Sequence, residues 1–115
     1  MNNKKVIILF AYIFFMILNS VVTFSFESNL WKYDKYIHFI EFFILGLLTI
    51  NIFIKQIDIK TFIVLYALIV GVALFDEGVQ FIIPNRIPDI NDLYYDFIGG
   101  FLGMAILLLK EKVYG

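Results

Sequence analysis

The segment Thr61–Pro84, TFIVLYALIVGVALFDEGVQFIIP, is uncharged from Thr61 to Phe75, then meets Asp76 and Glu77 before Pro84 stops it. At about 1.5 Å of rise per residue, a helix over Thr61–Ile83 is long enough to cross a hydrocarbon core of about 30 Å. The period-two alternation of a transmembrane strand is missing, and a lone segment in lipid must satisfy its own backbone hydrogen bonds. A membrane helix is expected. Working outward, Leu93–Leu109 is a similar stretch with Asp96 in its first turns. Tyr36–Ile54 carries His38 and Glu41 near its start, and Val6–Phe24 has no charge at all. Lys4 and Lys5 ahead of Val6 resemble the start of a secretory signal. The apolar run that follows outlasts a usual signal core, however, and no Ala-x-Ala-like site closes it, so a retained first helix is expected.

The connections Ser25–Lys35, Lys55–Lys60 and Pro84–Asp92 are short, and no repeat or low-complexity segment interrupts the chain. Residues 1–115 read as one all-α domain, an integral membrane bundle of four transmembrane helices over about 6–24, 36–54, 61–83 and 93–109. Composition agrees. Hydrophobic residues make up 62% of the chain and mean hydropathy is +0.90, beyond the ~45–50% apolar usage of soluble domains. A net charge of −1 gives no sign of a nucleic-acid partner. With no cysteine, disulfides, thiolate zinc sites and cysteine nucleophiles are excluded.

Orientation follows from the basic residues. If the N-terminus is cytoplasmic, Lys4, Lys5, Lys55, Lys60, Lys110 and Lys112 lie inside, and Lys32, Lys35 and Arg86 outside. The positive-inside rule then favours both termini in the cytoplasm, in a multi-pass protein of the bacterial cytoplasmic membrane. On that topology Glu27, Asp34, Glu41, Asp76, Glu77, Asp89, Asp92 and Asp96 gather toward the outer face, and only Asp58 and Glu111 lie inside.

Helical spacing sharpens this grouping. Asp34, His38 and Glu41 are related by i+4 and i+3 and share one face of the second helix. Asp76 and Gln80 form an i, i+4 pair, with Glu77 about 100° round, and Asp92 and Asp96 repeat the spacing. Seven residues separate Asp76 from Pro84, about 10 Å of helix, which sets this carboxylate below the membrane surface. A carboxylate there costs at least about 2–3 kcal/mol on insertion scales, so it should face the bundle interior with a partner. Arg86, Lys35, His38 and a protonated carboxylate are the candidates. Gly99 and Gly103 form a G-x-x-x-G on the fourth helix, read as helix packing within the bundle or in a homo-oligomer. Gly46 and Gly71 are expected to serve similar packing, and Trp31, Tyr33 and Tyr36 to anchor the interface.

Three fragments come in a telling order: D-K-x-x-H-F-x-x-F at Asp34–Phe42, D-E-x-x-Q at Asp76–Gln80, and P-x-R-x5-D-x3-D-x2-G-x3-G from Pro84 to Gly103. Together they resemble the VanZ-like family of small bacterial membrane proteins. The matching positions are Asp34, Lys35, His38, Asp76, Glu77, Gln80, Pro84, Arg86, Asp92, Gly99 and Gly103; at Asp96 the family often has Asn. The resemblance implies several membrane helices and, through the family's name-giving member, an association with low-level resistance to the glycopeptide teicoplanin.

Three uses of the polar constellation stay open. It could lock the helices together. It could bind a cation, a metal or a cationic ligand group, since eight acids against three bases make poor glue. It could hold Mg²⁺, Mn²⁺ or Zn²⁺ for hydrolysis of a phosphate-containing lipid, although no His pair or H-E-x-x-H is present. The expected function is binding, by Asp34, Lys35, His38, Glu41, Asp76, Glu77, Gln80, Arg86, Asp92 and Asp96, of an envelope lipid-linked or glycopeptide-type ligand. No organic cofactor is expected; a divalent metal and a catalytic role belong to the hydrolase alternative.

Overall fold

The computed structural model describes residues 3–21, 34–55, 57–82 and 90–114, with backbone alone at 19–21, 34 and 80. Its regular structure is helical: α1 (Asn3–Val21), α2 (Asp34–Ile52), α3 (Ile59–Ile82) and α4 (Ile90–Tyr114). No strand occurs among the described residues. The all-helical, four-helix expectation therefore holds, with shifted boundaries. α4 continues beyond Leu109 through Lys110–Lys112 because these are good helix formers; charge ends an apolar span without ending a helix. α3 starts earlier than expected because Asp58 caps it. Asp58 Oδ1 accepts the Thr61 N–H at 2.8 Å, and its carbonyl accepts the Phe62 N–H at 3.0 Å. α2 stops at Ile52, where the Phe53 N–H turns back to the Ile50 carbonyl at 3.1 Å. Residues 22–24 of the expected first span lie outside the described residues.

Cross-helix contacts give the directions. Tyr12 meets Glu41 while Lys5 meets Asn51, so α1 runs antiparallel to α2. Gly99 lies on Phe39, and Gly103 on Phe43 and Leu47, so α4 runs parallel to α2. Phe62 packs on Phe101 while Tyr66 reaches Phe97, which makes α3 antiparallel to α4. This alternation collects the lysines of the chain's ends and of the α2–α3 turn at one end of the bundle. The starts of α2 and α4 and the end of α3 gather at the other.

The most extensive contact joins α2 to α4. The buried residues of α2 are His38, Phe42, Leu45, Gly46, Thr49 and Ile50; those of α4 are Asp92, Asp96, Gly99, Gly100, Gly103 and Met104. Both sets follow i, i+4, i+7, i+8, i+11, i+12, a single stripe on a helix. Glycines let the two stripes meet backbone to backbone. A Cβ on Gly99 would strike the Phe39 carbonyl oxygen, one on Gly103 that of Phe43, and one on Gly46 that of Gly100. Leu65, Ile69 and Ala73 of α3, with Met16 of α1, complete the core. Gly71 departs from expectation. It is exposed, with nothing within 4 Å of the place a Cβ would occupy, because it lies some 200° round α3 from Ile69.

Large apolar side chains also cover the outside: Phe10 and Phe14 on α1, Ile63 and Phe75 on α3, and Ile98 and Ile106 on α4 are about half exposed or more. Lys35–Ile52, Ile59–Val79 and Ile90–Tyr114 are long and apolar enough to cross a membrane, with mean hydropathies of 1.4, 2.1 and 1.5. Only 33, 28 and 33% of these spans is buried inside the bundle, so lipid is the solvent for the rest.

Candidate functional site

The buried polar residues concentrate where α2 and α4 begin and α3 ends. His38, Asp76, Glu77, Asp92 and Asp96 are each 5% exposed or less. His38, one turn into α2, stands between two carboxylates one turn apart on α4. Its Nδ1 is 2.9 Å from Asp96 Oδ1, a hydrogen-bond distance, and its Nε2 is 3.6 Å from Asp92 Oδ2, an ion-pair distance. With Asp96 ionised, Nδ1–H donates to Oδ1; a doubly protonated ring would also direct its Nε2–H toward Asp92. The i, i+4 spacing of Asp92 and Asp96 is what lets one imidazole address both.

Asp76 and Glu77 bring α3 into the cluster, near enough for their charges to act on Asp96. Both are buried although they are about 100° apart, because adjacent residues straddle the groove that α3 fills. Asp96 is fully buried, and its Oδ2 accepts no hydrogen bond among the described residues. A buried acceptor in that state is a place where a proton, a cation or a donor from a ligand gains much.

Other expected positions fall elsewhere. Lys35 is half-buried with Nζ 5.8 Å from the centre of the Tyr95 ring, a cation–π contact that ties the first turn of α2 to α4. Glu41 is half-buried on the α1 side, where its carbonyl accepts the Tyr12 hydroxyl at 2.7 Å. It lies about 60° round α2 from His38, enough to reach a different neighbour. The side chains of Asp34 and Gln80, and all of Arg86, Asp89, Pro84, Trp31 and Tyr33, lie outside the described residues. Among the described residues no group of three or more His, Asp or Glu side chains is arranged to hold a metal ion.

Sequence reading missed two phenols. Tyr12 donates to the Glu41 carbonyl, and Tyr66 donates to the Phe97 carbonyl at 3.0 Å. Both sit in apolar helical runs, where a Tyr hydroxyl needs a partner; that need was the available signal.

Apolar helices of spanning length around a buried ionic cluster define a helical membrane protein. Residues 2–111 match the VanZ/LLP1 family, and the chain belongs to it. No curated protein and no solved structure matches the chain.

Proposed function

We propose that this chain is a multi-pass protein of the bacterial cytoplasmic membrane that binds an envelope lipid-linked or glycopeptide-type ligand at its polar end and thereby alters glycopeptide susceptibility. The observation that carries this reading is the burial of His38, Asp92 and Asp96 together with Asp76 and Glu77, on three helices, at one end of the bundle. Polar contacts between membrane helices contribute only about 0.6 kcal/mol on average, little return for so many buried ionisable groups if holding helices were their whole task. The acidic balance of the proposed outer side, eight acids to three bases by sequence, suits a ligand that presents an ammonium group. An N-in, C-in orientation, supported by the six lysines at the opposite end, turns the cluster toward the cell exterior.

Expression of the chain in a glycopeptide-sensitive bacterium should raise the inhibitory concentration of teicoplanin. His38→Ala and Asp76→Ala, at matched membrane levels, should each abolish the increase. Full protection by both variants would reject a site here, whereas loss of the protein from the membrane would be read from the blot, not from the susceptibility.

A further inference from the structure

At the end of the bundle opposite His38, where α2 stops and α4 nears its end, an open cleft of about 200 Å³ is lined by Asn51, Ile54, Leu107, Lys110, Glu111 and Tyr114. It belongs to none of the chemistry described so far. We propose that it receives the zwitterionic headgroup of a phosphoethanolamine-type membrane lipid, independently of any ligand at the polar end. Its lining is layered. Asn51 and Leu107 line its deeper part, Ile54 lies nearer the outer end, just past α2, and charge begins at Lys110, one residue past the end of the apolar run at Leu109. This is the depth at which a lipid passes from acyl chain to headgroup.

The charges select the headgroup. Lys110 and Glu111 are adjacent on one helix, where neighbours do not face each other, and neither has an ion-pair partner among the described residues. A purely anionic group would meet Glu111, and a purely cationic one Lys110. A group carrying phosphate and a primary ammonium answers both, with the Asn51 amide and the Tyr114 hydroxyl as further donors for phosphate oxygens. The volume is below the roughly 300–1,000 Å³ of pockets for drug-sized ligands, a space for a small polar headgroup. The wall is also braced. Lys5 Nζ donates to the Asn51 carbonyl at 3.1 Å, which fixes the end of α2 against α1.

The test is native mass spectrometry of the full purified chain in detergent, titrated separately with phosphatidylethanolamine, phosphatidylglycerol and phosphatidylcholine of identical acyl chains. Phosphatidylethanolamine should bind most tightly. Phosphatidylcholine should be weaker because its trimethylated nitrogen has no N–H to give Glu111. Lys110→Gln and Glu111→Gln should each weaken phosphatidylethanolamine binding by about tenfold, the scale of one charge-assisted hydrogen bond. Lys112→Gln, outside the cleft lining, should leave it unchanged. Circular dichroism of each variant confirms that the helices persist. Equal binding of the three lipids, a preference for phosphatidylglycerol, or indifference to Glu111→Gln in a folded variant would overturn the proposal.

Discussion

Asp96 concentrates the chemistry of the molecule at a single side chain. One of its oxygens holds His38, while the other lies in a fully buried position without a hydrogen bond among the described residues. Breaking a buried ion pair from one side costs about 3–5 kcal/mol, because it strands the remaining charge. Asp96→Asn does something different: its amide oxygen can still accept from His38, while the negative charge disappears. The Asp96→Asn variant should therefore unfold in detergent at or above the wild-type temperature. Asp96→Ala, which leaves a void and an imidazole without its acceptor, should unfold several degrees lower. Equal melting of the Asn and Ala variants would mean that the His38 contact contributes nothing. The sequence disclosed this pairing only in part. Spacing put Asp92 and Asp96 on one face of α4 and His38 on one face of α2, but no spacing within a helix says which face of another helix it will meet. Glu41 shows the limit: its offset from His38 is small, yet its helix face turns to Tyr12 and α1.

At the level of elements, the α2–α4 interface is set by glycines with different duties. Gly103 would push a Cβ into the Phe43 carbonyl oxygen, whereas Gly71 has open space around it. Gly103→Ala should destabilise the protein by about 1–3 kcal/mol, the scale of overpacking. Gly71→Ala should be neutral or stabilising by up to about 1 kcal/mol, through helix propensity. Unfolding of the two variants side by side in detergent checks the contrast, and a tolerant Gly103 would argue against close contact of α2 and α4. The G-x-x-x-G spacing announced close packing but not its partner, and Gly71 had no distinguishing sequence signal at all.

Helix boundaries were legible only to within a few residues, and the start of α3 shows why. Asp58 caps α3, and hydrogen bonding from the Thr61 side chain, with the Thr61 N–H beside it, holds its carboxyl below the ordinary 3.8. A carboxyl depressed in the folded state stabilises above its unfolded pKa, and that contribution is lost as pH falls through the lower folded value. Asp58→Asn, whose amide oxygen caps without titrating, should remove this acid-dependent component from melting curves recorded between neutral and acidic pH. An unchanged pH dependence would place its origin elsewhere.

For the whole molecule, hydropathy made the class of fold legible because a bilayer demands long apolar runs and internally bonded backbones. Antiparallel alternation through short connections then collects the lysines at one end and the His38 cluster at the other. What remained hidden were features set in three dimensions: the backbone contact of α2 with α4, the phenol bonds of Tyr12 and Tyr66, and the cleft between the ends of α2 and α4. None leaves a mark on hydropathy. The arrangement stands or falls on α2 and α4 lying in parallel register, with His38 against Asp96. A double-mutant cycle on His38→Ala and Asp96→Ala, followed by reversible unfolding in mixed micelles, measures that contact most directly. Direct contact requires a coupling energy of roughly 0.5–3 kcal/mol between the two positions. Effects that add to within about 0.3 kcal/mol would mean that the two side chains do not meet, and would contradict the structure at its centre.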